Sequence, residues 1–170
     1  MTLSKGKQSK QMFWACFSGA PRETGLIPLY GDPNAERKGL IKEVIYSLYS
    51  AILPTLLVSK DAIFQHDNPP THTAYIVQVL LREIGVNVMD WPPYSPDLNP
   101  IENLWALLKA NILRLRPSLR EMPNNNETLA ELVDAAQYAR ENLTVQHFVN
   151  LAETMQHRVE ECYAQLTGRR

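Results

Sequence analysis

Residues 91–105 read WPPYSPDLNPIENLW. The segment is a proline-rich loop that turns into a helix. Asn99 is a good N-cap, because its side-chain oxygen can accept from a free N–H of the first turn. Pro100 suits the first helical position, where its fixed φ is already helical and its missing N–H costs nothing. Beyond it, Ile101, Leu104, Trp105, Leu108, Ile112 and Leu115 fall on one apolar stripe, and Pro117 ends the helix. Glu102 lies in the first turn just off that stripe, where the helix dipole favours an acid. Asp97 and Asn99 read first as structural residues that lock the loop by turn and cap hydrogen bonds.

Upstream, Ala62 to His66 (AIFQH) reads as a strand leading into Asp67, and Pro69-Pro70 breaks it. A helix is expected from about Thr71 to Ile84, with Tyr75, Ile76, Val79, Leu80 and Glu83 spaced by threes and fours and Gly85 as its stop. Val86 to Met89 is a further strand. Nearer the start, Gln11–Phe17 (QMFWACF) and Gly25–Tyr30 (GLIPLY) read as short strands, the second at an edge because of Pro28. Gly31 to Asn34 is a turn, and a helix is expected from Asn34 to Leu53, ended by Pro54. Downstream, Thr128 with Glu131 forms a capping box opening a helix to about Asn142. Thr144 opens another to about Leu166, with Phe148, Leu151, Met155, Val159 and Cys162 on its apolar face. The order is an α/β pattern with a mixed sheet and flanking helices. It divides into a basic, disordered stretch 1–10, a core 11–120 and C-terminal helices 121–170 packing on that core.

Asp67 and Glu102 are separated by thirty-four residues that hold one helix and one strand. A strand–helix–strand–helix path returns both to the same end of the sheet, the end that faces the ligand crevice in open α/β folds. Two carboxylates there can hold Mg²⁺ or Mn²⁺, which favour oxygen ligands. Two such ions about 3.5–4 Å apart stabilise the attacking and leaving oxygens of phosphoryl transfer. Taken singly, Asp67 is equally a turn-former and Glu102 a dipole-favoured first-turn acid. The pair acquires meaning with its flanks.

Those flanks resemble a family. Residues 65–72 (QHDNPPTH) resemble the signature at the second aspartate of mariner-type transposases, of the Tc/mariner superfamily. Residues 91–105 resemble that family's signature at its third acidic residue. Residues 11–18 (QMFWACFS) and 31–37 (GDPNAER) resemble its flanking strand and turn. The resemblance implies a ribonuclease-H-like DDE catalytic domain and metal-dependent cleavage and strand transfer of transposon DNA. It implies Asp67 and Glu102 as catalytic metal ligands for Mg²⁺ or Mn²⁺, and Asn68, His72, Asp97, Asn99 and Asn103 as supporting residues. It also implies transposon-end DNA as partner, with a homodimer as one assembly. Asn68 and His72 can offer hydrogen bonds beside a carboxylate, as groups behind a metal ligand do. In that family the first aspartate lies on a central strand just before the strand at Gln11. The ten residues before Gln11, MTLSKGKQSK, hold no acid and no apolar run. The expectation is a catalytic domain lacking its first, central strand and the family's helix-turn-helix domains. It would be N-terminally truncated and inactive alone. The other reading is a non-enzymatic nucleic-acid- or protein-binding relic on the same scaffold. Asp32, Asp61 and Asp90 are the acids weighed as substitutes.

Other classes fit less well. Hydrophobic content of 45% and charged content of 21% are those of an ordinary globular chain. No run approaches the roughly 18 apolar residues of a membrane span, and no secretory signal is present. Net charge is −1, unlike a dedicated DNA-binding module. Cys16 and Cys162 suggest no disulfide framework, which fits a nuclear or cytoplasmic setting. His66 and His72 are not a zinc pair, because no further His or Cys stands at ligand spacing. Trp91 and Tyr94 stay open as base-stacking residues, whereas Trp105 belongs to the helix stripe and the core.

Overall fold

The computed structural model describes residues 11–18, 24–30, 41–57, 61–92 and 95–167. In chain order these form strands β1 (Met12–Trp14) and β2 (Ile27–Leu29), helix α1 (Lys42–Leu56), strand β3 (Ile63–Phe64), helix α2 (Tyr75–Glu83) and strand β4 (Asn87–Val88). Then come a 3-10 turn (Pro96–Leu98), helix α3 (Pro100–Leu115), a second 3-10 turn (Pro117–Arg120), and helices α4 (Asn126–Glu141) and α5 (Val145–Thr167). The chain divides into two compact units, one of Met1–Pro28 with Pro96–Arg170, the other of Leu29–Ser95. The expected disorder of 1–10, the turn at Gly31–Asn34 and the start of the first long helix lie outside the described residues.

The first unit is built on α3. Asn99 caps it, accepting from the Ile101 N–H at 3.3 Å, and Pro100 occupies the first position. Leu104, Leu108 and Ile112 are buried at helical spacing, against α4 and α5. Phe13 of β1, Leu132 and Ala136 of α4 and Phe148 of α5 complete the core, with Trp105 partly buried against it. A buried Arg140 near the end of α4 ties this core together. Its Nη2 donates to the Thr24 carbonyl at 2.8 Å, and its guanidinium stands 4.4 Å over the Phe148 ring, a cation–π geometry. The Thr24 hydroxyl in turn accepts from the Cys16 N–H at 2.7 Å, fixing the chain beyond β1.

The second unit is a strand–helix–strand unit with α1 against α2. β3 and β4 are parallel, Ile63 opposite Asn87 and Phe64 opposite Val88, and the Met89 N–H extends the ladder to the Phe64 carbonyl at 2.9 Å. Gly85 stops α2 as its position suggests. It adopts φ 69°, and the Val86 N–H bonds the Leu81 carbonyl at 2.9 Å while the Gly85 N–H bonds that of Arg82. This is the six-to-one and five-to-two pair that closes a helix on a left-handed residue.

Five local expectations change. Pro54 does not end the first long helix but sits inside its last turn. Pro54 and Ser50 are both exposed, so the bond that the missing N–H would make to the Ser50 carbonyl falls on the solvent side, while Ile45, Tyr49 and Leu53 anchor the buried face. Tyr75 is 75% exposed rather than on the apolar face. α2 starts at that residue, and its buried phase is set by Val77, Leu80 and Leu81. Thr128 is not the cap of α4. Asn125 is, accepting from both the Thr128 N–H at 2.8 Å and its hydroxyl at 2.9 Å, and Glu131 pairs with Arg116 at 2.9 Å instead of reaching back. Val159 is 54% exposed, because α5 at 23 residues outruns the 16-residue α3 and α4. Trp91 is buried, so its ring is not open for base stacking, while Tyr94 lies outside the described residues.

Candidate metal-binding carboxylates

Asp67 stands three residues beyond β3, in coil. β3 has already ended at Phe64, so Pro69 and Pro70 do not break it but form the turn that follows. The Pro69 carbonyl accepts from the His72 N–H at 2.9 Å and from the Thr73 N–H at 3.1 Å. That turn brings the His72 ring to Asp67, with Nδ1 2.8 Å from Oδ1. A nitrogen facing a carboxylate this closely carries a proton. The N–H is not in line with the oxygen, so this is a close polar approach whose strength depends on the tilt of the ring. His72 is 13% exposed and Asp67 is 59% exposed, so the imidazole covers one side of the carboxylate and solvent reaches the other. His72, first through this contact and then through its charge, holds the Asp67 carboxyl below the usual range, against the opposing effect of burial.

Behind His72 lies a stack of rings. His66 and His72 are nearly parallel, 17° apart, with centroids 5.5 Å apart. Phe64 also stacks against His66, with centroids 5.3 Å apart. Tyr49 of α1, fully buried, meets Phe64, His66 and His72 at 5.4, 6.0 and 5.9 Å, and its hydroxyl lies 3.3 Å from His66 Nδ1. Burial pushes the His66 imidazole down to about 4, with His72 adding to the shift and Asp67 opposing it. An imidazole binds a metal in its own plane, so two stacked rings do not converge on one ion, in agreement with the exclusion of a zinc pair. Asn68 turns away from this group and donates to the Trp91 carbonyl at 2.7 Å, which ties the Asp67 loop to the segment after β4.

Glu102 is exposed in the first turn of α3, its N–H bonded to the Asn99 carbonyl at 3.1 Å. Asn103 beside it is exposed. Asp97 is exposed, and its contribution comes through the backbone, where its carbonyl accepts from Nη1 of Arg158 on α5. The Arg158 Nε–H is braced on Thr154 Oγ1 at 3.1 Å. Asn99 is the cap already described. Asp67 therefore belongs to the second unit, and Glu102 with Asp97, Asn99 and Asn103 to the first. Among the described residues no group of three His, Cys, Asp or Glu side chains is gathered around a common metal position. Asp61 and Asp90 are exposed, and Asp32 lies outside the described residues. Burial pushes the Cys16 thiol up to about 11, so it is not a nucleophile at neutral pH.

Two residues escaped the reading of the sequence. Tyr49 had a signal, since it falls four residues from both Ile45 and Leu53, the two other buried positions of α1. Arg158 had none, because its partner is a backbone carbonyl 61 residues away.

No described helix is long and apolar enough to cross a membrane. Residues 37–122, which is 86 of 170, match the family model described as DDE superfamily endonuclease. The Tcb2 transposase of Caenorhabditis briggsae is 32% identical over 126 residues, covering 74% of this chain and 42% of that protein. The Tc1 transposase of Caenorhabditis elegans is 43% identical over 61 residues, 36% of this chain and 22% of that protein. The chain thus spans about two fifths of the length of the first of these relatives. Among solved structures, the Mos1 transposase catalytic domain with raltegravir and Mn superposes with a TM-score of 0.64 at 20% identity, covering 92% of this chain and 76% of that one. The Mos1 strand transfer complex gives 0.67 at 21% identity, covering 97% of this chain and 45% of that one. These likenesses carry the fold, which is ribonuclease-H-like. The family match covers half of the sequence, including both acidic signatures, and the chain belongs to the DDE superfamily endonucleases as a mariner-type transposase catalytic domain.

Proposed function

We propose that Asp67 and Glu102 are two of the acidic ligands of a Mg²⁺- or Mn²⁺-dependent centre that cleaves and joins transposon-end DNA. The observation that carries this reading is the condition of Asp67. It is a carboxylate held in its charged form by His72 on one side and open to solvent on the other. A hard divalent cation takes such an oxygen, and Glu102 offers a second of the same kind at an exposed helix start. When bound, the metal would stabilise the attacking and leaving oxygens of a phosphodiester. The chain's own residues serve that end by position. His72 orients Asp67, and Asn68 fixes its loop. Asn99 and the Asp97 carbonyl set the first turn of α3, and Asn103 adjoins Glu102. The complexes of Mos1, which include a strand transfer complex and a paired end complex with Mn, support DNA as the partner class. A nuclear site of action follows from that partner.

These 170 residues by themselves offer two family carboxylates rather than three. Loss of one such electrostatic stabiliser costs at least about 10²-fold in rate, so the chain alone is expected not to cut. The test is a titration of Mn²⁺, followed by the loss of its free-ion electron paramagnetic resonance signal, beside a nicking assay on supercoiled plasmid. Asp67→Asn and Glu102→Gln should each weaken Mn²⁺ binding about tenfold or more. Binding indifferent to both substitutions removes them as ligands and favours the non-enzymatic relic. Plasmid nicking by the purified chain that disappears in Asp67→Asn overturns inactivity while keeping the site.

A further inference from the structure

We propose that Tyr49 is a positioning residue of the Asp67 site, acting through the ring stack on the tilt of His72. The proposal rests on the reading of Asp67 as a metal ligand. Every group in it belongs to one compact unit.

The chain of contacts is short. The Tyr49 hydroxyl holds His66 at Nδ1, and the His66 ring lies nearly flat against His72. His72 Nδ1 faces Asp67 Oδ1 at 2.8 Å. Because this 2.8 Å approach is not an aligned hydrogen bond, the tilt of the His72 ring sets how firmly the carboxylate is held. The near-parallel stack limits that tilt, and His66 can act as a fixed wall only if its own ring is fixed. Two contacts fix it, the Phe64 ring stacked against it and the Tyr49 hydroxyl at its Nδ1. A buried tyrosine used only to fill space needs no polar partner of this kind. A leucine or phenylalanine would serve, as at Leu53 one turn on. The hydroxyl's cost of burial is offset by a partner two contacts from the carboxylate. Groups behind a metal ligand set its orientation, and their loss weakens metal binding although they never touch the ion.

The experiment uses the full 170-residue chain and two readouts. Long-range ¹H–¹⁵N spectra of the histidine rings report tautomer and environment at His66 and His72 without metal. Mn²⁺ titration reports the ligand. The variants are Tyr49→Phe, which keeps the ring and removes the hydroxyl, His66→Phe, which keeps the stack and removes the hydroxyl's ring-nitrogen partner, and the double variant. The expected result is that Tyr49→Phe shifts the ring nitrogens of both histidines and weakens Mn²⁺ binding about threefold, less than the roughly tenfold or greater effect of losing a direct partner. His66→Phe should do the same to His72, and the double variant should add nothing, since both remove one link. If Tyr49→Phe moves the His66 signals alone, or leaves Mn²⁺ affinity at the wild-type value while Asp67→Asn lowers it, Tyr49 is only core and the proposal falls. If Asp67→Asn leaves Mn²⁺ binding unchanged, the metal reading fails instead, and the His72 ring signals still decide whether Tyr49 reaches it. A Tyr49→Phe chain that does not fold transfers the decision to His66→Phe, judged on the same His72 signals.

Discussion

The two units hold their acidic residues by different means. Glu102 rides on a helix whose other side is an apolar core of Leu104, Leu108 and Ile112, so its backbone is fixed by burial on one face and a cap at the start. Asp67 sits in coil, where no repeating hydrogen bond fixes the chain. A proline-directed turn, Asn68 on the Trp91 carbonyl and a stack of buried rings do that work instead. Apolar burial has no preferred direction and no dependence on pH. Polar rings have both. The core of the first unit should therefore answer to cavity-making substitutions with little dependence on pH, whereas the second, which also has an apolar core in Ile45, Leu53 and Val77, should add a response to acid through its ring stack.

The largest effect belongs to the apolar unit. Leu108 is fully buried in the middle of α3. Leu108→Ala should cost about 3 kcal/mol in urea unfolding, the usual loss for a buried leucine that leaves a cavity. The loss should be the same at pH 7.5 and pH 5.5. A pH-dependent loss would show that titrating groups reach this core and would blur the contrast.

The second effect belongs to the ring stack. His66 is pushed down to about 4 from an ordinary 6.5. The unfolded chain therefore binds a proton there before the folded one does. Stability is unaffected above about pH 6.5, falls as the pH drops through the window, and levels off below about 4. At pH 5 the loss from this group is about 2 kcal/mol as an order of magnitude. Asp67, held below 3.8, contributes its own stability above that value and loses it only at more acid pH, so it does not confound the window. Metal-free thermal melts at pH 7.5 and pH 5 should differ by about 5 °C from this cause, and His66→Phe should remove most of the difference. An unchanged difference would mean that some other group carries the acid sensitivity.

How much of this was legible in the sequence follows the same division. α3 was readable almost residue by residue, because Asn99, Pro100, the apolar spacing and Pro117 all act locally and agree with one another. Gly85 was readable for the same reason, since only a left-handed residue closes α2 there. The family signatures around Asp67 and Glu102 were readable through their flanks. The support of Asp67 was not. Tyr49 lies 17 residues from His66 and 23 from His72, and nothing in a helical stripe says that one of its members needs a hydroxyl. Arg140, whose partner Thr24 is 116 residues away, is hidden for the same reason. Pro54 misled because a proline stops a helix when its lost bond is costly, and here that bond faces solvent.

The smallest effects separate the two helix caps of the first unit. The pattern Thr128 with Glu131 suggests a capping box, but the cap is Asn125, whose Oδ1 takes both the N–H and the hydroxyl of Thr128. Asn125→Ala should then cost about 1 kcal/mol, the usual value of a cap. Thr128→Val keeps the volume of this buried side chain and loses only the hydroxyl's bond, so it should cost about half as much. The reverse order would restore Thr128 as the cap. Asn99 holds the Ile101 N–H at 3.3 Å, a longer bond than the 2.8 Å of Asn125. Asn99→Ala should therefore cost less stability than Asn125→Ala. Yet Asn99→Ala should weaken Mn²⁺ binding through Glu102, three residues on, while Asn125→Ala should not. A cap that matters less to the fold and more to the site is what the first unit predicts if Glu102 is a ligand, because its carboxylate then depends on the first turn of α3 rather than on the core beneath it.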